Sequence, residues 1–434
     1  MLTNAGYTYD YLAPENLASP DAFVRNQALG IPEYRALIVN NQSIPSAEVA
    51  EVLQEKADDG LPLILIGPMK SQLEHRSLSS YNTLNTAIAD LLSADNVYQV
   101  DHIDDLPGTL AELGIAPRVS LACSSSPVYP VWRSSTDVDR IFFFNDQDVA
   151  VEGTATIAAS GVSPHILNAW TGSQSPLLQY TATDSSLTIP ISLMSNETLI
   201  LALHPIETSS QCSFPTASGD LHSLQLSSSN KTHAIVTGRT DLTSASGKVS
   251  HFDPSLPAPL NLTTWNLVIE GWHSAPDRFA VETEITNHTF DSIPLVPWNQ
   301  IDDSLNPTSG IGHYVTTFTV PSSSNATFSD LVGILTLPLI QHTARVYLDN
   351  EWLGPIDPVN PTLTLDHLES GRDYEIRIEV STTLFNRIKT DADDVRVIGI
   401  IAGQRAAYKT MPYEGYGLVG SVILGWGERV EVDC

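Results

Sequence analysis

The sequence is poor in basic residues. It contains 21 Lys and Arg against 50 Asp and Glu, which gives a formal net charge of −29 over 434 residues. Such a chain repels phosphate backbones and anionic lipid surfaces, so the composition argues against nucleic-acid and membrane partners. The simplest role of the charge is solubility through self-repulsion, and work at mildly acidic pH is the alternative.

Long apolar runs are also missing. The stretches at residues 61–67 and 331–339 are too short to span a bilayer and have the length of buried strands. The first six residues lack the basic and apolar segments of a secretory signal, so the sequence as written predicts a cytoplasmic protein. If the true N-terminus lies upstream, we expect a secreted protein instead.

Cysteine is scarce. Cys123, Cys212 and Cys434 form neither a metal-ligand spacing nor a dense disulfide framework. Two interpretations stay open: three thiols without a bridge, or one bridge in a secreted protein, with Cys123 and Cys212 as the candidate pair. No glycine-rich phosphate loop and no G-x-S-x-G nucleophile elbow occurs, so we expect no cofactor and no metal site.

Acceptor motifs for N-linked glycans point away from the cytoplasm. The motif Asn-x-Ser/Thr occurs at Asn41 and at five further positions that we predict to be glycosylated, most of them in the second half of the chain: Asn196, Asn230, Asn261, Asn287 and Asn325. Ser and Thr are abundant here, so some of these matches are expected from composition alone.

The first 118 residues alternate short apolar runs with helical periodicity. Runs at 34–40, 61–67 and 97–100 have strand length, and helices are predicted between Ser46 and Gly60, at 81–92 and at 106–113. Uninterrupted apolar strands joined by helices predict a parallel sheet that is covered on both faces. We therefore expect a small doubly wound α/β domain of flavodoxin or amidotransferase type over residues 1–118.

The rest of the chain reads as all-β, which makes the protein multidomain. Residues 119–258 carry short strands without helical periodicity, which predicts an antiparallel β-sandwich. The Ser/Thr-rich stretch 208–229 is expected to be a loop or a ragged hairpin, and the Pro-rich segment 252–260 marks a boundary. Residues 259–434 predict a jelly roll of eight or nine strands, one of which, at 372–380, alternates apolar and charged residues.

Several short motifs resemble one enzyme family. Gly6-Tyr7-Thr8-Tyr9-Asp10-Tyr11, followed by Pro14-Glu15, resembles the YDY-type start of the post-barrel domain in glycoside hydrolase family 106, which contains α-L-rhamnosidases. The WTG at 170–172 is similar to a motif of that family's accessory sandwich. The stretches SGIGHY (309–314), VYLDNEWLG (346–354) and STTLFNR (381–387) resemble the galactose-binding-like jelly roll at the family's C-terminus, although Asp349-Asn350 replaces the usual VNG hairpin.

The resemblance implies the C-terminal, carbohydrate-binding portion of a rhamnosidase-like glycoside hydrolase, without hydrolysis of its own. The family's catalytic carboxylates lie on a barrel before the YDY motif, and such a barrel needs about 250 residues. Three explanations stay open: a truncated sequence, a chain that pairs with a separate catalytic barrel chain, and a protein that has lost the barrel. Two other functions also stay open: a free-standing interaction protein, and a repurposed enzyme that acts on a glycosylated or other secondary metabolite.

The candidate site residues combine acids with aromatics. In sugar sites an aromatic face packs on pyranose C–H groups while acids bind hydroxyls, so we expect a carbohydrate or a glycosylated small molecule as the ligand. Asp10 and Glu15 are weak catalytic candidates, with a turn or capping role as the alternative. The candidate carbohydrate-binding residues are Trp272, Trp298, Asp302, Asp303 and Arg387. The alternatives here are an acidic turn after a packed tryptophan, and a salt bridge for the arginine.

Overall fold

The chain is mostly β-strand and divides into two compact units. The computed structural model describes residues 2–433 except 31–33, 42, 45, 69, 72–77, 124–127, 207–211, 228, 230, 278–279, 323–329 and 392–409. The first unit comprises Met1–Pro164, Ala182–Leu193 and Thr198–Glu207, and the second comprises His165–Thr181, Met194–Glu197 and Thr208–Cys434. Within the described residues no helix combines the length and the apolar character needed to cross a bilayer.

The N-terminal part of the first unit contains a parallel sheet. Its elements are α1 (Pro14–Leu17), β1 (Val24–Arg25), β2 (Ala28–Leu29), β3 (Leu37–Asn40), β4 (Ser43–Ile44), α2 (Ala47–Asp58), β5 (Leu63–Ile66), β6 (Lys70–Ser71), α3 (Leu78–Leu92), β7 (Val97–Val100) and α4 (Leu106–Glu112). Strands β3, β5 and β7 pair in that order, all parallel. The predicted parallel sheet with helical connections is therefore confirmed.

Local signals fix the elements of this sheet. The Ser46 hydroxyl accepts the Val49 N–H at 3.4 Å and caps α2, and Gly60, at φ +99°, follows its last turn. Every residue of the central strand β5 is buried. Leu63 and Leu65 pack with α2 and α3 on one face, whereas the intervening isoleucines pack with α4 on the other. The strand is apolar throughout because both faces are covered.

Antiparallel sheets follow. Their strands are β8 (Val119–Cys123), β9 (Val128–Arg133), β10 (Asp139–Asn145), β11 (Val151–Ile157), β12 (Val162–Leu167), β13 (Gln174–Pro176), β14 (Thr181–Ala182), β15 (Leu187–Leu193) and β16 (Thr198–Pro205). Within the first unit, β9, β10 and β16 pair in one sheet and β8, β11 and β15 in another. The antiparallel pairing predicted for this part of the chain is confirmed.

The second unit contains two larger sheets. Its further elements are β17 (Thr216–Leu226), β18 (Thr232–Thr243), β19 (Val249–Phe252), β20 (Leu260–Leu262), β21 (Trp265–Ser274), β22 (Thr283–Ile293), α5 (Trp298–Ile301), β23 (Gly310–Thr319), β24 (Leu331–Thr336), β25 (Thr343–Leu348), β26 (Glu351–Trp352), β27 (Thr362–Leu365), β28 (Asp373–Ser381), α6 (Phe385–Thr390) and β29 (Val422–Val432). One sheet runs β17-β18-β29-β24-β27, with β19 and β20 attached, and the other is six-stranded, in the order β22-β21-β23-β28-β25-β26. Side chains from both sheets form one core.

The strand alternation predicted at residues 372–380 is confirmed. In β28, Tyr374, Ile376, Ile378 and Val380 are buried, whereas the residues between them are half-buried. The predicted boundary at residue 258 separates β18 from β29, yet these strands pair in one sheet. Residues 216–226 form one strand of a hairpin with register shifts, so the ragged-hairpin alternative is confirmed. Pairing across so many residues leaves no local signal in the sequence.

The cysteine expectations need correction. Cys212 is disulfide-bonded, whereas Cys123, at the end of β8, is a free thiol. The predicted Cys123–Cys212 pair is therefore wrong, and so is the alternative of three unbridged thiols. Burial raises the pKa of the Cys123 thiol, which lowers its nucleophilicity at neutral pH.

Candidate functional site

Asp10 anchors the N-terminal segment of the first unit. Its Oδ2 accepts the Tyr34 hydroxyl at 2.5 Å, and its Oδ1 lies 3.0 Å from the Arg133 guanidinium. Burial and, to a smaller extent, the hydrogen bond to Asp10 raise the pKa of Tyr34 to about 12. The phenol therefore keeps its proton and remains a donor at neutral pH. Both carboxylate oxygens of Asp10 are therefore engaged by other parts of the protein. Glu15 lies exposed in the first turn of α1.

A cavity of about 1030 Å³ lies beside β3, and both Asp10 and Glu15 line it. Residues 35–40 form one wall, with Val52 of α2 on one side and Leu106 of α4 on the other. Among the described residues, β3 pairs only with β5, so its second edge faces this cavity. The cavity thus combines apolar walls with an exposed strand edge.

A second candidate site is the face of the six-stranded sheet that points away from the core. Alternating burial along β21, β23 and β28 places Glu270, His313 and Glu379 on this outer face. Register puts His313 directly opposite Glu379, and Glu270 lies two residues from the partner of His313 on β21. The three side chains therefore lie next to one another across three strands.

These side chains form a continuous row of contacts. His313 Nε2 lies 3.0 Å from Glu270 Oε1, and His313 Nδ1 lies 3.6 Å from Glu379 Oε1. The Tyr347 hydroxyl donates to Glu379 Oε2 at 3.2 Å. Arg377 forms an ion pair with Glu379 and stacks over the Tyr347 ring, 3.8 Å from its centroid. We call these five residues the polar stripe.

An exposed tryptophan lies at each end of the polar stripe. Trp272, which is 36% exposed, places its Nε1 3.4 Å from Glu270 Oε2. Trp352, which is 52% exposed, pairs with Tyr347 across β25 and β26. The two tryptophans are four strands apart and six residues apart along the strands, which corresponds to about 25–30 Å. The stripe therefore has room for several sugar rings.

Trp298 lies in the core of the second unit. It is 1% exposed, its Nε1 donates to the Tyr314 hydroxyl at 2.8 Å, and its ring meets Tyr416 edge-on with the centroids 6.1 Å apart. The ring has no exposed face on which a sugar could stack. The expectation that Trp298 contacts a ligand is corrected by this burial, and the packed-tryptophan alternative is confirmed.

Asp302 and Arg387 are engaged within the protein, whereas Asp303 is exposed. Asp302 Oδ1 accepts the Ser304 N–H at 2.8 Å, and this hydrogen bond lowers the pKa of Asp302. Asp303 begins the short 3₁₀ turn that follows. Arg387 forms a two-pronged ion pair with Asp391, at 2.6 Å for each prong. The acidic turn and the salt bridge that stood as alternatives are therefore present.

Among the predicted sugar-binding residues, Trp272 thus has an exposed ring. Sequence reasoning missed the polar stripe. Its signal was the charged side of the β28 alternation, which carries Arg377 and Glu379. The register that brings His313 to them is non-local. Within the described residues no group of three or more His, Cys, Asp or Glu could hold a metal ion.

The predicted glycosylation sites divide into two sets. Asn196, Asn261 and Asn287 are exposed, whereas Asn230 and Asn325 lie outside the described residues. Asn196 lies in a turn at φ +60°, and Asn261 and Asn287 lie on strands. Asn287 belongs to β22, the edge strand next to β21, which carries Trp272.

Comparison with known proteins gives a fold relationship. No family model matches the chain, and no curated protein matches it. The rhamnosidase from Novosphingobium sp. PP1Y superimposes with a TM-score of 0.62 at 16% identity, over 96% of this chain and 36% of that enzyme. The β-glucuronidase of Faecalibacterium prausnitzii overlaps 41% of this chain with a TM-score of 0.24, too low to support an argument. The chain is thus similar in fold to about a third of a rhamnosidase.

Proposed function

We propose that this chain is the accessory, carbohydrate-binding portion of a glycoside hydrolase of the α-L-rhamnosidase type, as in family 106. Sugar binds at the Trp272 end of the polar stripe. The exposed indole face packs on pyranose C–H groups, while Glu270 and His313 bind hydroxyls. The fold relationship to a third of a rhamnosidase supports the accessory role.

The observation that carries the proposal is the contact between Trp272 and Glu270. A single surface tryptophan is common and says little. Here the indole N–H is directed to a carboxylate, which in turn contacts His313, so the polar groups beside the ring are held in place. Fixed polar groups beside an aromatic face reduce the ordering cost of binding a small polar ligand.

We assign no hydrolysis to this chain. Glycoside hydrolysis generally needs two carboxyl groups that flank the scissile bond. Asp10 already bonds Tyr34 and Arg133, so catalysis by Asp10 would require that ion pair to open.

The test is binding of rhamnose and a rhamnose-containing oligosaccharide to the purified, unglycosylated chain by calorimetry. We expect a Kd of about 1 mM, or about −4 kcal/mol, and at least a tenfold loss for Trp272→Ala. Trp170→Ala removes another exposed tryptophan of the second unit and serves as the matched control. Equal binding by the wild type and Trp272→Ala would reject this site. Turnover of an aryl α-L-rhamnoside that falls in Asp10→Asn or Glu15→Gln would reject the non-catalytic assignment.

A second candidate function is assembly with a separate catalytic barrel chain, and the edge of β3 favours it. The Leu37 N–H donates to Pro62 O and the Asn41 N–H to Ile66 O, so alternate residues of β3 face β5. The backbone groups of Ile38 therefore face the cavity. An extended segment of the partner chain would pair with this edge and bury apolar side chains against α2 and α4.

Two proline variants separate docking from folding. Ile38→Pro removes a backbone N–H that faces the cavity, whereas Val39→Pro removes one that faces β5. We expect wild-type protein to capture a barrel-containing glycoside hydrolase, identified by mass spectrometry, from the source cells, and Ile38→Pro to lose it while staying folded. Val39→Pro, the folding control, should lower the thermal midpoint. Capture that survives Ile38→Pro, or no capture of such a chain by the wild type, would reject this candidate.

A further inference from the structure

The acceptor Asn287 lies beside Trp272 on the outer face of the six-stranded sheet. In the pairing of β21 with β22, Asn287 is directly opposite Glu270, and Ile285 is directly opposite Trp272. Residues opposite each other in an antiparallel pair share a face, and diagonal neighbours are about 7–8 Å apart. A sugar attached to Asn287 is therefore within reach of the Trp272 ring.

An apolar pair of side chains lies beside this acceptor. Ile285 is 54% exposed and Trp272 is 36% exposed, and the two face each other across the strand pair. Two large apolar side chains next to each other on a solvated sheet face leave surface that an attached sugar can cover. The ring C–H groups of N-acetylglucosamine suit an indole face for the same reason as those of a ligand sugar.

Asn261 and Asn196, the other predicted glycosylation sites among the described residues, lack this neighbourhood. Asn261 also lies exposed on a strand, but its cross-strand partner is Ile423 rather than an aromatic residue. Asn196 lies in a turn, where its side-chain amide donates to the Ser195 hydroxyl at 2.9 Å. Asn261 is therefore a matched internal control for Asn287.

The bonding of Cys212 is consistent with glycosylation. Stable disulfides form in oxidising compartments, which are also where N-linked glycans are attached in eukaryotic cells. In that reaction Asn287 Nδ2 loses a proton and bonds to C1 of N-acetylglucosamine. The C1–O bond to the lipid diphosphate of the oligosaccharide donor breaks, and the diphosphate leaves with the bonding electrons.

We propose that Asn287 carries an N-linked glycan whose first sugar packs on Trp272. The chain's own glycan then occupies the Trp272 end of the polar stripe and competes there with external carbohydrate. The competition rests on the proposed sugar binding, whereas the glycan and its packing do not. Glycosylation would thereby regulate access to the site.

The packing is tested on protein secreted from a eukaryotic host. Mass spectrometry should find Asn287 occupied in the wild type and empty in Asn287→Gln and Thr289→Ala. On the folded protein, an endoglycosidase should remove the Asn287 glycan at least fivefold more slowly than the Asn261 glycan. Trp272→Ala should abolish that difference, Trp272→Tyr should keep most of it, and Trp352→Ala should leave it unchanged. An empty Asn287, or equal cleavage rates in the wild type and Trp272→Ala, would overturn the proposal.

The competition is tested by titrating the same oligosaccharide into glycosylated wild type, Asn287→Gln and Asn261→Gln. We expect Asn287→Gln to bind at least tenfold more tightly than glycosylated wild type, and Asn261→Gln to match the wild type. Equal affinities in all three would overturn the competition. If no form binds sugar but Trp272 still protects the glycan, the proposed function fails while the packing stands.

Discussion

Replacing Tyr314 by Phe removes one oxygen that serves two donors in the core of the second unit. Trp298 Nε1 donates to the Tyr314 hydroxyl at 2.8 Å, and the Leu418 N–H donates to it at 3.0 Å. Because Tyr314 is fully buried, both N–H groups lose their acceptor in a site of low polarity. A buried unsatisfied donor costs about 1–3 kcal/mol, so we expect the loss of an acceptor shared by two donors to lower the free energy of unfolding by about 2–6 kcal/mol.

The assay is urea unfolding followed by tryptophan fluorescence. With an m-value of about 3 kcal/mol/M, the midpoint of the affected transition should fall by about 1–2 M. Tyr347→Phe is the control, because its hydroxyl donates to Glu379 on the half-buried outer face at 3.2 Å and should matter by less than about 1 kcal/mol. A loss below about 1 kcal/mol in Tyr314→Phe would refute the two-donor assignment.

From the burial of Tyr314 we also predict that the protein loses stability at alkaline pH. Burial raises the pKa of Tyr314 to about 12, whereas an unfolded tyrosine ionises near its ordinary value of about 10. The stabilisation from the neutral phenol is therefore complete below about pH 10 and is lost as the pH rises towards 12. We expect the difference in unfolding free energy between the wild type and Tyr314→Phe to narrow over that range. A constant difference up to pH 12 would contradict the assignment.

Two further predictions concern packing and thiols. Gly312→Ala places a Cβ 2.7 Å from the Trp298 ring, so we expect the free energy of unfolding to fall by about 1–3 kcal/mol in the same urea series. Gly108 lies in α4 with open space around it, so Gly108→Ala should be neutral or raise the free energy of unfolding by up to about 1 kcal/mol. In non-reducing denaturant a maleimide should label Cys123 but not Cys212, and labelled Cys212 would contradict the disulfide. In the folded chain, the rate of Cys123 labelling should rise only above the ordinary pKa of a thiol, because burial raises the pKa of Cys123.

Local sequence signals predicted the helices and strands of the N-terminal part of the chain. Ser46 and Gly60 bound α2 because a hydroxyl cap and a positive-φ glycine act within one turn of the helix. The apolar run of β5 identified a strand covered on both faces, and the alternation in β28 identified a half-solvated one. Each of these signals depends on residues a few positions apart, so no knowledge of the tertiary structure was needed.

The candidate site depended on contacts that no local pattern records. Trp272 and Trp298 both lie near acidic residues in the sequence, yet one is exposed and the other is enclosed by Tyr314 and Tyr416. Which tryptophan is buried is decided by a hydroxyl 16 positions along the chain and a ring more than a hundred positions away. Sequence proximity to carboxylates therefore could not separate a core tryptophan from a binding one.

By itself the sequence determined the acidic surface, the order of an α/β part before all-β parts, and the positions of the glycan acceptors. These follow from composition, periodicity and three-residue motifs. The tertiary structure alone decided that β18 joins β29, that Glu270, His313 and Glu379 meet on one face, and that Asn287 faces the Trp272 surface. The physical reason is that strand register is set by hydrogen bonds between segments far apart in the chain, and a shift of one residue would move every one of these side chains to the other face.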